Sequence, residues 1–246
     1  MEGAGDRGSM SRYEALPAVV RRWLDRSLPS TPRLDAQWQV EQQGELQFRP
    51  GRWAPWRGVQ TFSVDRPAFS WRVTLSVVPY LLWLRIDDGC DDDEGWGRAR
   101  LWGMFKSIDE HGPHLYRTQV SRYLTDLAFT PHAALADDRL TWREDGDDAA
   151  RVSVAAGERL DGGAEARLVF NEEADLIGAS VPDRPRNIPG KTALEDTPFR
   201  VGYAAHADVG GVRMPTRAEA GFEPGGVPQP LMRIRVTGAR AMPSGA

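Results

Sequence analysis

Cysteine and lysine are nearly missing from this 246-residue sequence, and long apolar runs are missing altogether. A single cysteine, Cys90, cannot close an internal disulfide, so nothing in the chain demands an oxidising compartment. Lysine occurs only at Lys106 and Lys191 and arginine supplies the positive charge, a bias that reads as the codon usage of a GC-rich bacterial genome. The longest apolar stretch, Val77 to Leu84, is broken by Pro79 and falls far short of the roughly 20 residues that span a bilayer as a helix, so no integral membrane segment is expected. The opening MEGAGDRGSM has no apolar core of a secretory signal, which makes a cytoplasmic location the default expectation. Residues 1–12 read as a disordered leader, with Met10 an alternative start, and 241–246 as a disordered tail. No phosphate-binding glycine loop, dinucleotide fingerprint or G-x-S-x-G elbow occurs. The formal net charge is −4 and no Lys/Arg block is long enough to follow a phosphate backbone, so nucleic acid is not expected as a partner.

Apolar residues make up 41% of the chain and charged residues 27%, the balance of a globular protein. Residues 14–28 have helical spacing, with Leu16, Val19, Val20, Trp23 and Leu24 on one stripe, Ser11 as the N-cap candidate, and Pro29 and Pro32 as stops. Strand-like alternation then takes over. In 34–41, Leu34, Ala36, Trp38 and Val40 alternate with polar residues; in 69–77, Phe69, Trp71, Val73, Leu75 and Val77 do the same. Weaker strands are predicted at 45–49, 59–64, 81–87 and 97–105, and a second helix at 114–128. Strands return at 139–143, 150–155, 164–170, 175–181, 197–207, 212–222 and 231–237. Val209-Gly-Gly-Val212 reads as a tight hairpin, and Pro182–Pro198 as a long proline-rich flap. Meander spacing without recurring crossover helices favours antiparallel pairing. The expected fold is mostly β (α+β): a single curved antiparallel sheet or half-barrel of about ten strands, in one domain over 13–240, with an N-terminal and a central helix covering the concave face.

Several segments, in order, resemble an uncharacterised bacterial family, a domain of unknown function. They are LPAVVRRWL at 16–24, GRWAPWRGVQTF at 51–62, PAFSWRV at 67–73, GWGRARLWG at 95–103, SRYLTDLAFTPHAAL at 121–135, DRLTWRE at 138–144, DRPR at 183–186 and GGVRMPTRAE at 210–219. The chain departs from that pattern at Asp126, Phe129 and His132, where glutamate, tryptophan and threonine are usual. The resemblance implies a fold like the lipoprotein-carrier half-barrel, whose curved sheet cups lipid beneath helical lids.

The chemical signals are few. The acidic run Asp87, Asp88, Asp91, Asp92, Asp93 and Glu94 lacks calcium-loop spacing and reads as a solvated hairpin loop, with Cys90 a poor nucleophile inside it. His111 and His114 flank a Gly-Pro turn and are too few for a metal site, so neither metal nor cofactor is expected. Aromatics on apolar strand faces suit an apolar ligand. The predicted binding set is Trp38, Trp71, Trp83 and Trp102 with Tyr123, and Arg122 meets the polar end of a lipid or fatty acid. Against this hydrophobic-ligand reading stand an enzyme using carboxylates and histidines in the same cavity, favoured if two or more of Asp87, Asp126, His132 and Arg122 line it, and a solid interaction module without ligand. No catalytic residue is assigned.

Overall fold

A computed structural model describes residues 11–34, 37–78, 80–91, 94–155, 163–186 and 194–243, apart from the side chain of His114. Thirteen antiparallel strands form one sheet: β1 (Gln37–Arg49), β2 (Arg52–Phe62), β3 (Phe69–Val78), β4 (Leu82–Asp91), β5 (Glu94–Leu101), β6 (Phe105–Gly112), β7 (Leu140–Glu144), β8 (Ala149–Val154), β9 (Ala164–Phe170), β10 (Leu176–Arg186), β11 (Glu195–Val209), β12 (Val212–Phe222) and β13 (Gln229–Met242). Their order is β6-β5-β4-β3-β2-β1-β13-β12-β11-β10-β9-β8-β7. Two meanders therefore run outward from a central seam in which β1 pairs with β13.

Thirteen strands replace the expected ten or so for local reasons. Residues 34–41 and 45–49 belong to one strand, β1, bent by a bulge against β13 at Glu41/Gln42; residues 35–36 lie outside the described residues. β6 escapes period-2 reading because it is an edge strand exposed along nearly its whole length, leaving no face that needs apolar residues. The acidic run is not a loop: Asp87, Asp88, Cys90 and Asp91 are in β4, while 92–93 lie outside the described residues. The 182–198 flap is largely strand as well, since β10 runs to Arg186 and β11 starts at Glu195, with 187–193 outside the described residues. At the chain ends, residues 11–12 are helical and β13 continues to Met242. The hairpin at Val209-Gly-Gly-Val212 is present, with Gly210 and Gly211 at φ 66° and 82°, the sign that a two-residue hairpin turn demands of both.

Helix α1 (Ala18–Ser27) is shorter than the predicted 14–28 because Pro17 caps it from extended backbone; residues 11–15 form a separate short helical segment before it. It buries Val19, Val20, Trp23 and Leu24, with the Trp23 ring 5.8 Å from that of Phe170. Helix α2 (Pro113–Asp126) follows β6 without a loop, and a 3-10 turn (Leu127–Phe129) and the short α3 (Ala133–Ala136) extend it. Gly95 permits its close approach, since a Cβ there would stand 2.6 Å from the Leu115 carbonyl carbon.

α2 touches β4, β5 and β6 on one wing and β8, β9 and β10 on the other. β5 and β10 are eight steps apart in the strand order, which is about 38 Å in a flat sheet, whereas a helix is about 10–12 Å across. One helix reaches both only because the sheet curls around it. The face turned towards α2 is the inner face, and it carries the core. Antiparallel alternation also puts the β1–β2, β3–β4 and β5–β6 turns and the β12–β13 connection at the same end of the sheet.

Candidate functional site

The sheet side of the site begins as one row across three strands. Gln60 (β2), Trp71 (β3) and Asp88 (β4) are register partners on the inner face. Inner-face positions ordinarily carry apolar side chains, and Phe62, Phe69, Val73 and Leu75 do so around them. Opposite the row, α2 presents Arg122, Thr125 and Asp126. The Arg122 Nε donates to Asp126 Oδ2 at 3.2 Å, its Nη1 lies 3.9 Å from Asp88 Oδ2, and its guanidinium lies 4.5 Å from the centre of a Trp71 ring. Gln60 Nε2 donates to Asp126 Oδ2 at 2.7 Å and is itself held by Gln42, whose Nε2 donates to Gln60 Oε1 at 3.3 Å. Arg122 and Asp126 thus form a buried, hydrogen-bonded pair (8% and 6% exposed) with a glutamine relay behind it.

The other wing adds a second buried guanidinium. A bulge between Val181 and Arg184 in β10 breaks the alternation, so Arg184 turns inward and Asp183 outward. Arg184 is 9% exposed and stacks 4.2 Å from the ring centre of Phe199. Among the described residues it has no hydrogen bond or ion pair, and its Nε is buried without a partner. Burial, and then the neighbouring charge of Arg122, pull its pKa down to about 10 despite the attraction of Asp126 and Asp88. Burial raises Asp88 to about 6, against the pull of Arg122. The 28% of its side chain left uncovered faces the space between the two wings.

That space is a cavity of about 160 Å³. Its polar wall is Asp88, Arg122, Asp126 and Arg184. Its apolar floor is a second register row, Val201–Ala220–Met232–Leu46, crossing β11, β12, β13 and β1. Leu46 and Leu231 are half-buried and mark its edge towards the turn-bearing end of the sheet. A larger trough of about 570 Å³ lies on the outer face over Gly44 and Gly202. It is an open surface, and the desolvated charges are in the smaller cavity, which is therefore the candidate site.

Of the predicted binding residues, Trp71 and Arg122 meet in this cavity and four do not. Trp38 is core: its Nε1 donates to the Phe129 carbonyl at 2.8 Å and its ring lies 4.7 Å from His132. Tyr123, one helical step from Arg122, faces away from the cavity and bonds Asp137 Oδ2 at 3.2 Å. Trp83 and Trp102 sit by the β3–β4 and β5–β6 hairpin turns, where the Trp102 Nε1 donates to the Leu81 carbonyl at 2.8 Å. Of the four residues of the enzyme alternative, two line the cavity together, Arg122 and Asp126. Asp87 is on the outer face holding the Trp96 indole, and His132 packs on Trp38; only Arg122 and Asp126 meet. Cys90 is on the buried inner face of β4, where desolvation raises its pKa.

Asp88 and Arg184 are the residues that sequence reasoning missed. Leu84, Ile86, Asp88 and Cys90 continue one alternation, a signal hidden by treating the acids as a loop; Arg184 depends on a bulge that no spacing announces.

Three solved structures resemble the chain. A DUF1329 family protein from Desulfovibrio piger aligns with a TM-score of 0.50 at 12% identity, over 97% of this chain and 95% of that one, and so shares its fold. An outer membrane lipoprotein-sorting protein domain from Vibrio parahaemolyticus gives 0.48 at 8% identity (98% and 94%). A LolA superfamily protein from Nitrosomonas europaea gives 0.46 at 12% identity (91% of each). No curated protein matches the chain. A family model described as a family of unknown function, DUF6544, matches residues 7–234, and the chain belongs to that family.

Proposed function

We propose that the chain binds an amphiphile with an anionic head group, such as a fatty acid, in the cavity between the sheet and α2. In this reading the curled sheet is a half-barrel around the ligand. The observation that carries it is Arg184: a buried guanidinium stacked on Phe199 and bordering an apolar-floored cavity, with no hydrogen-bond or salt-bridge partner among the described residues. An unpaired buried charge is costly, and an anion delivered by a ligand removes that cost. Arg122 stands beside it with its own charge matched by Asp126, so with Asp88 protonated one anionic group balances the set. A cavity of about 160 Å³ compares with the ~150 Å³ that accommodates benzene in an engineered core. It therefore takes a head group and the first carbons of a chain, the remainder leaving past Leu46 and Leu231.

The test is native mass spectrometry of protein from its own host, joined to titration with a fluorescent fatty acid. The expected result is a bound species that dissociates on unfolding, and saturable uptake that Arg184→Met removes. A bare polypeptide mass together with no fatty-acid uptake rejects the proposal.

A further inference from the structure

Of the ten large hydrophobic side chains that are exposed among the described residues, seven lie between Val78 and Ile108. All but Ile108, which is in β6, cluster on the neighbouring β3–β4 and β5–β6 turns, where Tyr80 is fully exposed and Met104, Leu81 and Phe105 are 73%, 68% and 59% exposed. Isolated exposed apolar residues are unremarkable, but a contiguous group marks a contact surface. This group is also built. Trp102 ties the two turns together through its Nε1 bond to the Leu81 carbonyl and packs edge-on against Phe105, ring centres 6.0 Å apart. Tyr80 and Trp102 hold positive φ (61° and 52°), a conformation that costs energy in a non-glycine residue.

Directly behind these turns, on the outer face, Arg85, Arg100 and Lys106 are register partners on three adjacent strands. Like charges placed opposite one another destabilise a sheet. Lys106 reaches Asp109 at 2.9 Å, but among the described residues Arg85 and Arg100 have no acidic partner. The next row of the same face, Arg72–Asp87–Arg98–Asp109, alternates in sign and balances itself. Arg100 precedes Trp102 by two residues, so its Cα sits about 7 Å behind the apolar turn. An apolar element in a bilayer interface is buried about 5–10 Å, with its cations at head-group depth.

We propose that this pair of hairpin turns docks the protein on an anionic lipid surface: Tyr80, Leu81, Met104 and Phe105 enter the interface, and Arg85, Arg100 and Lys106 meet the head groups. A second copy of the chain fits the same patch poorly, because symmetric pairing of the turns brings the cation row up to its own image. The turns lie at the end of the sheet where Leu46 and Leu231 edge the cavity, so a docked molecule presents that edge to the membrane. Docking is read without ligand and stands or falls separately from the cavity proposal.

The experiment is co-sedimentation of the full chain with vesicles of phosphatidylcholine alone and of phosphatidylcholine with phosphatidylglycerol. The expected result is binding to the anionic vesicles that weakens with salt. Arg85→Gln and Arg100→Gln each lower that affinity about fivefold. The triple variant Leu81→Ser/Met104→Ser/Phe105→Ser lowers it by tenfold or more with an unchanged melting temperature, since all three side chains are exposed. Absence of wild-type binding to anionic vesicles at low salt overturns the proposal. So does equal binding by the wild type and the triple variant to vesicles and to soluble polyphosphate, which assigns the row to a polyanion. Concentration-dependent dimerisation that the triple variant abolishes, without vesicle binding, assigns the patch to a second copy and also overturns it.

Discussion

Arg122 and Tyr123 are neighbours in sequence, yet they enter two different buried polar regions, one on each side of α2. On the Tyr123 side the groups are neutral or anchored. Tyr123 bonds Asp137, Asp137 accepts the Arg139 amide at 3.0 Å, and Trp38 bonds Phe129. The atoms left over there, His132 Nδ1 and Thr130 Oγ1, are uncharged, because burial lowers the His132 pKa to about 4. On the Arg122 side, besides the neutral Gln42 Oε1 and Trp71 Nε1, the leftover atoms include the Nε of a charged group, the Arg184 guanidinium, which borders the cavity. Unmet neutral atoms are a modest packing cost; an unmet charge is large enough to require a reason. The contrast separates a stabilising core from the candidate site better than burial, which the two regions share.

The largest test of that contrast is in the core. Trp38→Ala removes a packed ring and leaves the Phe129 carbonyl unbonded, and it should cost about 3–5 kcal/mol in a denaturant melt. Fatty-acid affinity of the folded fraction should stay as it was. The two arginines come next. Arg122→Met strands Asp126 in the interior and should destabilise by about 3 kcal/mol, whereas Arg184→Met, which relieves a charge without a partner, should be neutral or stabilising by up to about 2 kcal/mol while losing uptake. Equal destabilisation by both would erase the distinction drawn here.

A subtler probe is pH. Asp88 holds its proton more tightly in the folded chain than in the unfolded one, so its contribution to stability is present below its unfolded pKa and is lost as pH rises through about 6. His132 runs the other way, its contribution being lost as pH falls from the ordinary imidazole range towards about 4. An anion bound between the arginines favours protonated Asp88, so affinity should increase as pH drops through about 6. Asp88→Asn should flatten that dependence, which a titration series would reveal. The smallest effect is expected for Tyr123→Phe, about 1 kcal/mol of stability with unchanged uptake.

The one-sided strands and both helices were legible in the sequence because Phe69–Val77, residues 164–170 and the α1 stripe repeat at the periods of their elements. β6 was not, since an edge strand exposed on both faces carries no alternation. The site was half legible. Trp71 and Arg122 could be nominated from face and helix position, but nothing local distinguishes Trp71 from Trp38, which occupies an equivalent face and packs solidly. Which inner-face residues border a void is decided by the curl of the sheet and by the β10 bulge, neither of which is written in a two-residue period.

The seam between β1 and β13 has a consequence for how the chain comes into being. Gln37 faces Met242 and Leu46 faces Met232, so the middle of the sheet joins the first of the thirteen strands to the last. On the ribosome, β1 is among the first strands made and its partner is the last. Until that partner emerges, β1 and β12 are raw edges in addition to the outer edges β6 and β7, and a truncated product ending before Gln229 keeps β1 open along a row of unpaired amides and carbonyls, a template for pairing with another chain. The nascent protein is not protected from its siblings along this seam until β13 has been made.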